Sequence, residues 1–108
     1  MIIIAGTASI DPKAHSAAVA ALNKMAAASN GDIGNISYRF AISLDDPEGL
    51  DIFECWEDQA SLDSHRAQSH TIEFIGAIPS FIGATDLKLQ RYEVSSAEPY
   101  PSPEPSMG

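Results

Sequence analysis

The sequence predicts a single α+β domain of the ferredoxin-like kind, a βαββαβ chain with its helices on one face of an antiparallel sheet. Two observations carry this expectation. Segments with strand patterning and segments with helical apolar spacing follow one another as strand, helix, strand, strand, helix, strand. The chain has 108 residues, 44% of them hydrophobic, which suits one core and no second domain.

Residues 2–10 hold Ile2, Ile3, Ile4 and Ile10 with small residues between, the pattern of a central strand buried on both faces. No basic residue precedes the isoleucines and Gly6-Thr7 breaks the run, so a signal peptide or membrane span is not expected. Asp11 and Pro12 open a helix as cap and first-turn proline, after which Ala14, Ala18, Ala21, Leu22 and Met25 recur at helical spacing. Asn30, Gly31, Asp32 and Gly34 end it. Ile36, Tyr38, Phe40 and Ile42 alternate with smaller or polar residues, a two-faced strand. Asp45 to Gly49 reads as a turn and Leu50 to Glu57 as the returning strand, with Ile52, Glu54 and Trp56 on one face and Phe53 and Cys55 on the other. Asp58 caps a second helical region that runs to about Phe81, bent near Ser69 and closed by Pro79. Thr85 to Val94 is the last strand.

Right-handed crossovers place both helices on one side of this sheet. The opposite face is then bare, and a second copy of the chain is the expected cover, giving a homodimer through the sheet face. The domain is expected over residues 1–94. Residues 95–108 hold four of the seven prolines and few apolar side chains, so an extended or disordered tail is expected there.

Fifteen acidic residues against six basic ones give a net charge of −9, and the basic residues are scattered, which excludes nucleic acid and membrane surfaces as partners. A lone cysteine, Cys55, within an apolar run fits a buried filler in a reducing cytoplasm. No glycine-rich phosphate loop follows a strand, so no flavin or nicotinamide site is expected, and no bound cofactor of any kind. His65 and His70 lie on one predicted helix five residues apart, which on a continuous helix separates them by about 140°, so no metal site is expected. His15 is expected to face solvent.

Gly34-Asn35-Ile36-Ser37-Tyr38, Phe53-Glu54-Cys55-Trp56-Glu57-Asp58, His65-Arg66-Ala67-Gln68-Ser69-His70 and Phe74 together resemble the antibiotic biosynthesis monooxygenase family in order and spacing. The resemblance spans roughly residues 1–94. It implies the dimeric α+β barrel, two ferredoxin-like units joined sheet to sheet. The family includes cofactor-free oxygenases of hydroquinones, quinol oxidases and heme-degrading enzymes. The positions that match the heme branch hold Thr7, His65 and Ile75, none of which suits heme.

If the Trp56 face meets the helices, as in that family, Trp56, Glu54, Leu62, His65, His70, Phe74 and Ile78 converge on a pocket. The expected function is then a cofactor-independent monooxygenase or quinol oxidase acting on a small electron-rich aromatic. Such chemistry needs a base to form the phenolate, dry walls, and donors for the anion. His65 is the first choice for the base and His70 the second, with Trp56 and Tyr38 orienting the substrate and Glu54, His70, Phe74, Ile78 and Leu62 lining the pocket. Glu54 needs a partner, for which Arg39 or Arg91 are the candidates. The alternative reading is a dimeric module without catalysis, one that binds a small ligand or has a ligand-free structural role, in which Trp56 packs and the histidines brace helices.

Overall fold

The computed structural model describes residues 1–83 and 85–101. Strand β1 (Ile2–Ser9) leads through a short 3-10 turn (Pro12–Ala14) into helix α1 (His15–Ser29). The Asp11 carboxylate accepts the Lys13 amide at 2.9 Å, the expected start signal, and Ala18, Leu22, Met25 and Ser29 form the buried stripe of α1. Strands β2 (Asn35–Ser43) and β3 (Asp46–Trp56) form a hairpin. Helix α2 (Gln59–Arg66), helix α3 (Ser69–Ala77), a 3-10 turn (Ile78–Ser80) and strand β4 (Lys88–Glu93) complete the chain.

All strand pairs are antiparallel in the order β2-β3-β1-β4, so β1 is central as expected. Its register puts Ile2 opposite Trp56, Ile4 opposite Glu54 and Gly6 opposite Ile52. Those residues, with Tyr38 and Phe40 of β2, face the helices. Leu50 and Ile52 join Ala18, Leu22, Phe81 and Ile82 in one apolar cluster, while Ile2, Met25, Tyr38, Trp56 and Leu62 form another.

Several boundaries differ from the sequence reading. The run Asp46-Pro47-Glu48 is strand, because the β2–β3 ladder extends to Ser43–Asp46 and leaves only Leu44 and Asp45 in the turn. The last strand begins at Lys88 rather than at residue 85. β1 is not buried on both faces within one chain: Ile3 and Ala5, on the helix-free side, are only half-buried. Residues 95–101 carry no helix or strand, and the remainder of the expected tail lies outside the described residues.

The second helical region is two helices. Asp58 caps α2 as predicted, its Oδ1 accepting the Ser61 amide at 2.8 Å and the Ser61 hydroxyl at 2.7 Å. The break falls at Ala67-Gln68, one residue before Ser69, and it changes what the two histidines can reach.

Candidate functional site

Between the sheet and the helices lies a cavity of about 260 Å³, at the small end of ligand pockets. Its sheet wall is Ile4, Tyr38, Phe40, Leu50, Ile52 and Glu54, and its helix wall includes Leu62, His65, Phe74 and Ile78. Leu89 of the edge strand β4 closes one side. Almost every lining group is apolar, so Glu54, His65, Arg66, Thr71 and the Tyr38 hydroxyl are the polar exceptions.

His65 stands in the last turn of α2 and is 3% exposed. The indole of Trp56 lies against it, centroids 4.5 Å apart and planes tilted by 33°, and the Tyr38 ring approaches at 5.4 Å. These contacts fix the plane of the imidazole. Its Nδ1 donates to Asp32 Oδ2 at 2.7 Å, and its Nε2 points toward Glu54 Oε1, 3.9 Å away. That second distance is too long for a hydrogen bond.

Asp32 comes from the loop between α1 and β2, which a glycine holds in place. Gly34 has φ +79°, and a Cβ there would collide with the Ser61 hydroxyl of α2. Its carbonyl accepts the Glu57 amide at 2.9 Å, so the loop is tied to the start of α2 and Asp32 is brought under His65. The same Oδ2 also accepts from His70 Nε2 at 2.8 Å.

Glu54 is held by the Trp56 indole N–H, which donates to its Oε1 at 3.1 Å. Burial raises its carboxyl above the ordinary range, while the Trp56 donor, His65 and Arg66 pull the other way. Neither expected arginine partner is used: Arg91 donates to Gln59 and Glu93, and Arg39 stands on the helix-free face, beside Phe53 in the register. Burial, then the charge of Glu54, raises the Tyr38 phenol far above its usual value. Tyr38 therefore stays protonated and can serve only as a neutral group.

Tyr38, Glu54, Leu62, His65, Phe74 and Ile78 thus meet at the cavity. Trp56 and His70 do not line it. Trp56 is 0% exposed and spends its N–H on Glu54, so its contact with a ligand is indirect. His70, 25% exposed at the side chain, turns away toward Asp32 and borders an outer groove with Lys24 and Glu73. The 140° separation of the two histidines does not hold, because the helix breaks between them. Asp32, His65 and His70 bring one ligand atom each within 4.8 Å of one another, the one such group among the described residues that could hold a metal ion.

The antibiotic biosynthesis monooxygenase family model matches residues 1–77, well over half the chain, and takes in Asp32, Tyr38, Glu54, Trp56, Leu62, His65, His70 and Phe74 but not Ile78 or Leu89. The chain belongs to that family. Among solved structures, a Deinococcus radiodurans protein named provisionally as an antibiotic biosynthesis monooxygenase is 25% identical, with TM-score 0.83, covering 94% of this chain and 100% of its own. A similarly named Nitrosomonas europaea protein is 18% identical at TM-score 0.80, covering 89% and 100%. Rv0793 from Mycobacterium tuberculosis is 23% identical at TM-score 0.77, covering 89% and 95%. These likenesses bear out the ferredoxin-like α+β fold. No curated protein matches the sequence significantly.

Asp32 is the residue that sequence reasoning missed. It sat in a stretch whose glycines and asparagine read only as a helix end, and no periodic pattern aims a loop side chain. Thr71 and Arg66 also reach the cavity; the bend expected near Ser69 left the facing of the residues after it unfixed, and Arg66 reads as an ordinary surface charge.

Proposed function

We propose that this antibiotic biosynthesis monooxygenase family member is a cofactor-independent oxygenase of a small, electron-rich, hydroquinone-like aromatic. The observation that supports this best is a buried imidazole at an apolar cavity, with Nδ1 anchored on Asp32 and Nε2 directed to the cavity side. Donation from Nδ1 leaves the Nε2 lone pair to accept a phenolic proton.

The phenolate passes electrons to dioxygen. In the oxidase form, a hydroquinone loses two protons and two electrons, oxygen gains both, and the products are a quinone and hydrogen peroxide. In the monooxygenase form, a ring CH₂ is converted to C=O while the second oxygen atom leaves as water. Phe40, Phe74 and Ile78 supply dry walls that keep the anion from being reprotonated by solvent. Tyr38 and Glu54 orient the ring, and Trp56 acts through Glu54.

Members of the family are generally dimeric, and we place the pairing here on the helix-free sheet face. There Ile3, Ala5, Phe53 and Tyr92 form an apolar band, with Phe53 39% exposed. No helix among the described residues is long and apolar enough to cross a membrane.

The test is oxygen uptake by chelator-treated protein over a panel of hydroquinones and anthrone-like compounds. Uptake in wild type that falls at least about a hundredfold in a folded His65→Gln variant supports the reading. Saturable ligand binding with no uptake by wild type would replace it with the non-catalytic binding module.

A further inference from the structure

We infer that Asp32, His65 and His70 form a binding site for a divalent transition-metal ion of the zinc class. The donor set is two imidazoles and one carboxylate, the combination that suits zinc and its neighbours rather than the oxygen-seeking magnesium and calcium. Three separate elements supply it: the loop after α1, the end of α2 and the first turn of α3. The donor atoms lie within 4.8 Å of one another. An ion held about 2.0–2.2 Å from each donor replaces the two hydrogen bonds on Asp32 Oδ2, which are 2.7 and 2.8 Å long. It requires both donor pairs to move apart, the partly exposed His70 ring being freer to shift than the buried His65.

A second observation points the same way. A metal-bound histidine ordinarily turns its other nitrogen toward a carboxylate that fixes the ring. His65 has this arrangement, with Nδ1 on the Asp32 side and Nε2 facing Glu54 Oε1 at 3.9 Å. A neutral imidazole carries one proton and so satisfies only one of these two carboxylates. A cation at Nδ1 satisfies both, because the ring proton then moves to Nε2 and points at Glu54. The ring is also held in place beforehand by Trp56, so little ordering remains to be done on binding.

The site and the base are mutually exclusive states of one ring. With the ion on Nδ1, Nε2 carries the proton and cannot accept another. This consequence rests on the oxygenase reading; the binding itself does not.

The experiment uses the full chain, stripped with chelator and titrated with cobalt(II) as the absorbing probe for zinc, followed by zinc displacement. One cobalt per chain is expected, with visible ligand-field absorption, displaced by zinc and unaffected by excess magnesium. His70→Ala and Asp32→Asn should each weaken binding at least about tenfold, while His15→Ala, at a half-buried histidine in the first turn of α1 bonded to the Pro47 carbonyl, should leave it unchanged. Absence of stoichiometric binding, or binding that persists in both His70→Ala and Asp32→Asn, overturns the site. Where oxygen uptake is measurable, zinc should suppress it over the same concentration range as it displaces cobalt. Cobalt binding with uptake undiminished would overturn the exclusivity and leave the site standing.

Discussion

The contact between Trp56 and Glu54 makes the sharpest energetic demand in the molecule, and a double-mutant cycle measures it. Trp56 is fully buried, and its N–H gives the half-buried Glu54 carboxylate the one side-chain hydrogen bond it receives among the described residues. Trp56→Phe keeps an aromatic ring against His65 but removes the donor. A buried acceptor left without its partner costs about 1–3 kcal/mol. The smaller ring adds a partial cavity, well short of the roughly 3–5 kcal/mol of a full truncation to alanine. The sum is about 2–4 kcal/mol, a large share of the 5–15 kcal/mol typical of a domain, and the melting temperature should fall by on the order of 10 °C or more. Glu54→Met removes the acceptor with similar shape, so the double variant should be less destabilised than the two single ones added together. A coupling of about 1–2 kcal/mol, read from urea unfolding at pH 7, is expected. Additivity to within about 0.5 kcal/mol would refute the claim that Trp56 stabilises the site through Glu54.

Three further outcomes follow from the same geometry. Because burial raises the Glu54 carboxyl, the folded chain holds its proton to higher pH than the unfolded chain does, and stability falls as pH rises through that interval. Glu54→Gln still accepts from Trp56, so with chelator present it should melt above wild type at pH 7.5, the difference shrinking toward zero at pH 4; an equal gap at both would contradict the shift. Gly34→Ala should cost about 1–2 kcal/mol for the backbone alone, and more from the collision with Ser61. Adding Ser61→Gly should recover only the second part, and full recovery in thermal melts would show that the positive φ costs nothing. Wild type should sediment as a dimer at micromolar concentration and Phe53→Asp as a monomer; a dimer unchanged by that charge would move the interface off the helix-free sheet face.

Much of the fold was legible because it is written in period. The alternation of Tyr38, Phe40 and Ile42 and of Ile52, Glu54 and Trp56 gave both strands and their faces, and Asp11 and Asp58 gave the helix starts through local capping that needs no tertiary contact. The turn at Asp45 was misplaced because proline and acidic residues lower strand propensity, while the ladder extends past it regardless. The site was half legible. Tyr38, Glu54, Leu62, His65, Phe74 and Ile78 lie on faces that periodicity predicts. Asp32 and the turn of His70 away from the cavity toward Asp32 depend on a loop pinned by Gly34 and on a two-residue helix break, neither of which leaves a periodic trace.

The wall that Leu89 gives the cavity belongs to an edge strand, all six residues of which are exposed. Leu89 itself is 44% exposed, whereas Leu50, Ile52 and Leu62 of the same lining are buried in the core. Enlarging the cavity at Ile52 or Leu62 would hollow out packing that the whole domain shares. A change at the exposed Leu89 touches none of that buried packing, so what the cavity admits can be altered there at little risk to folding. A saturation library confined to that one position would therefore return mostly folded proteins, differing in what they admit.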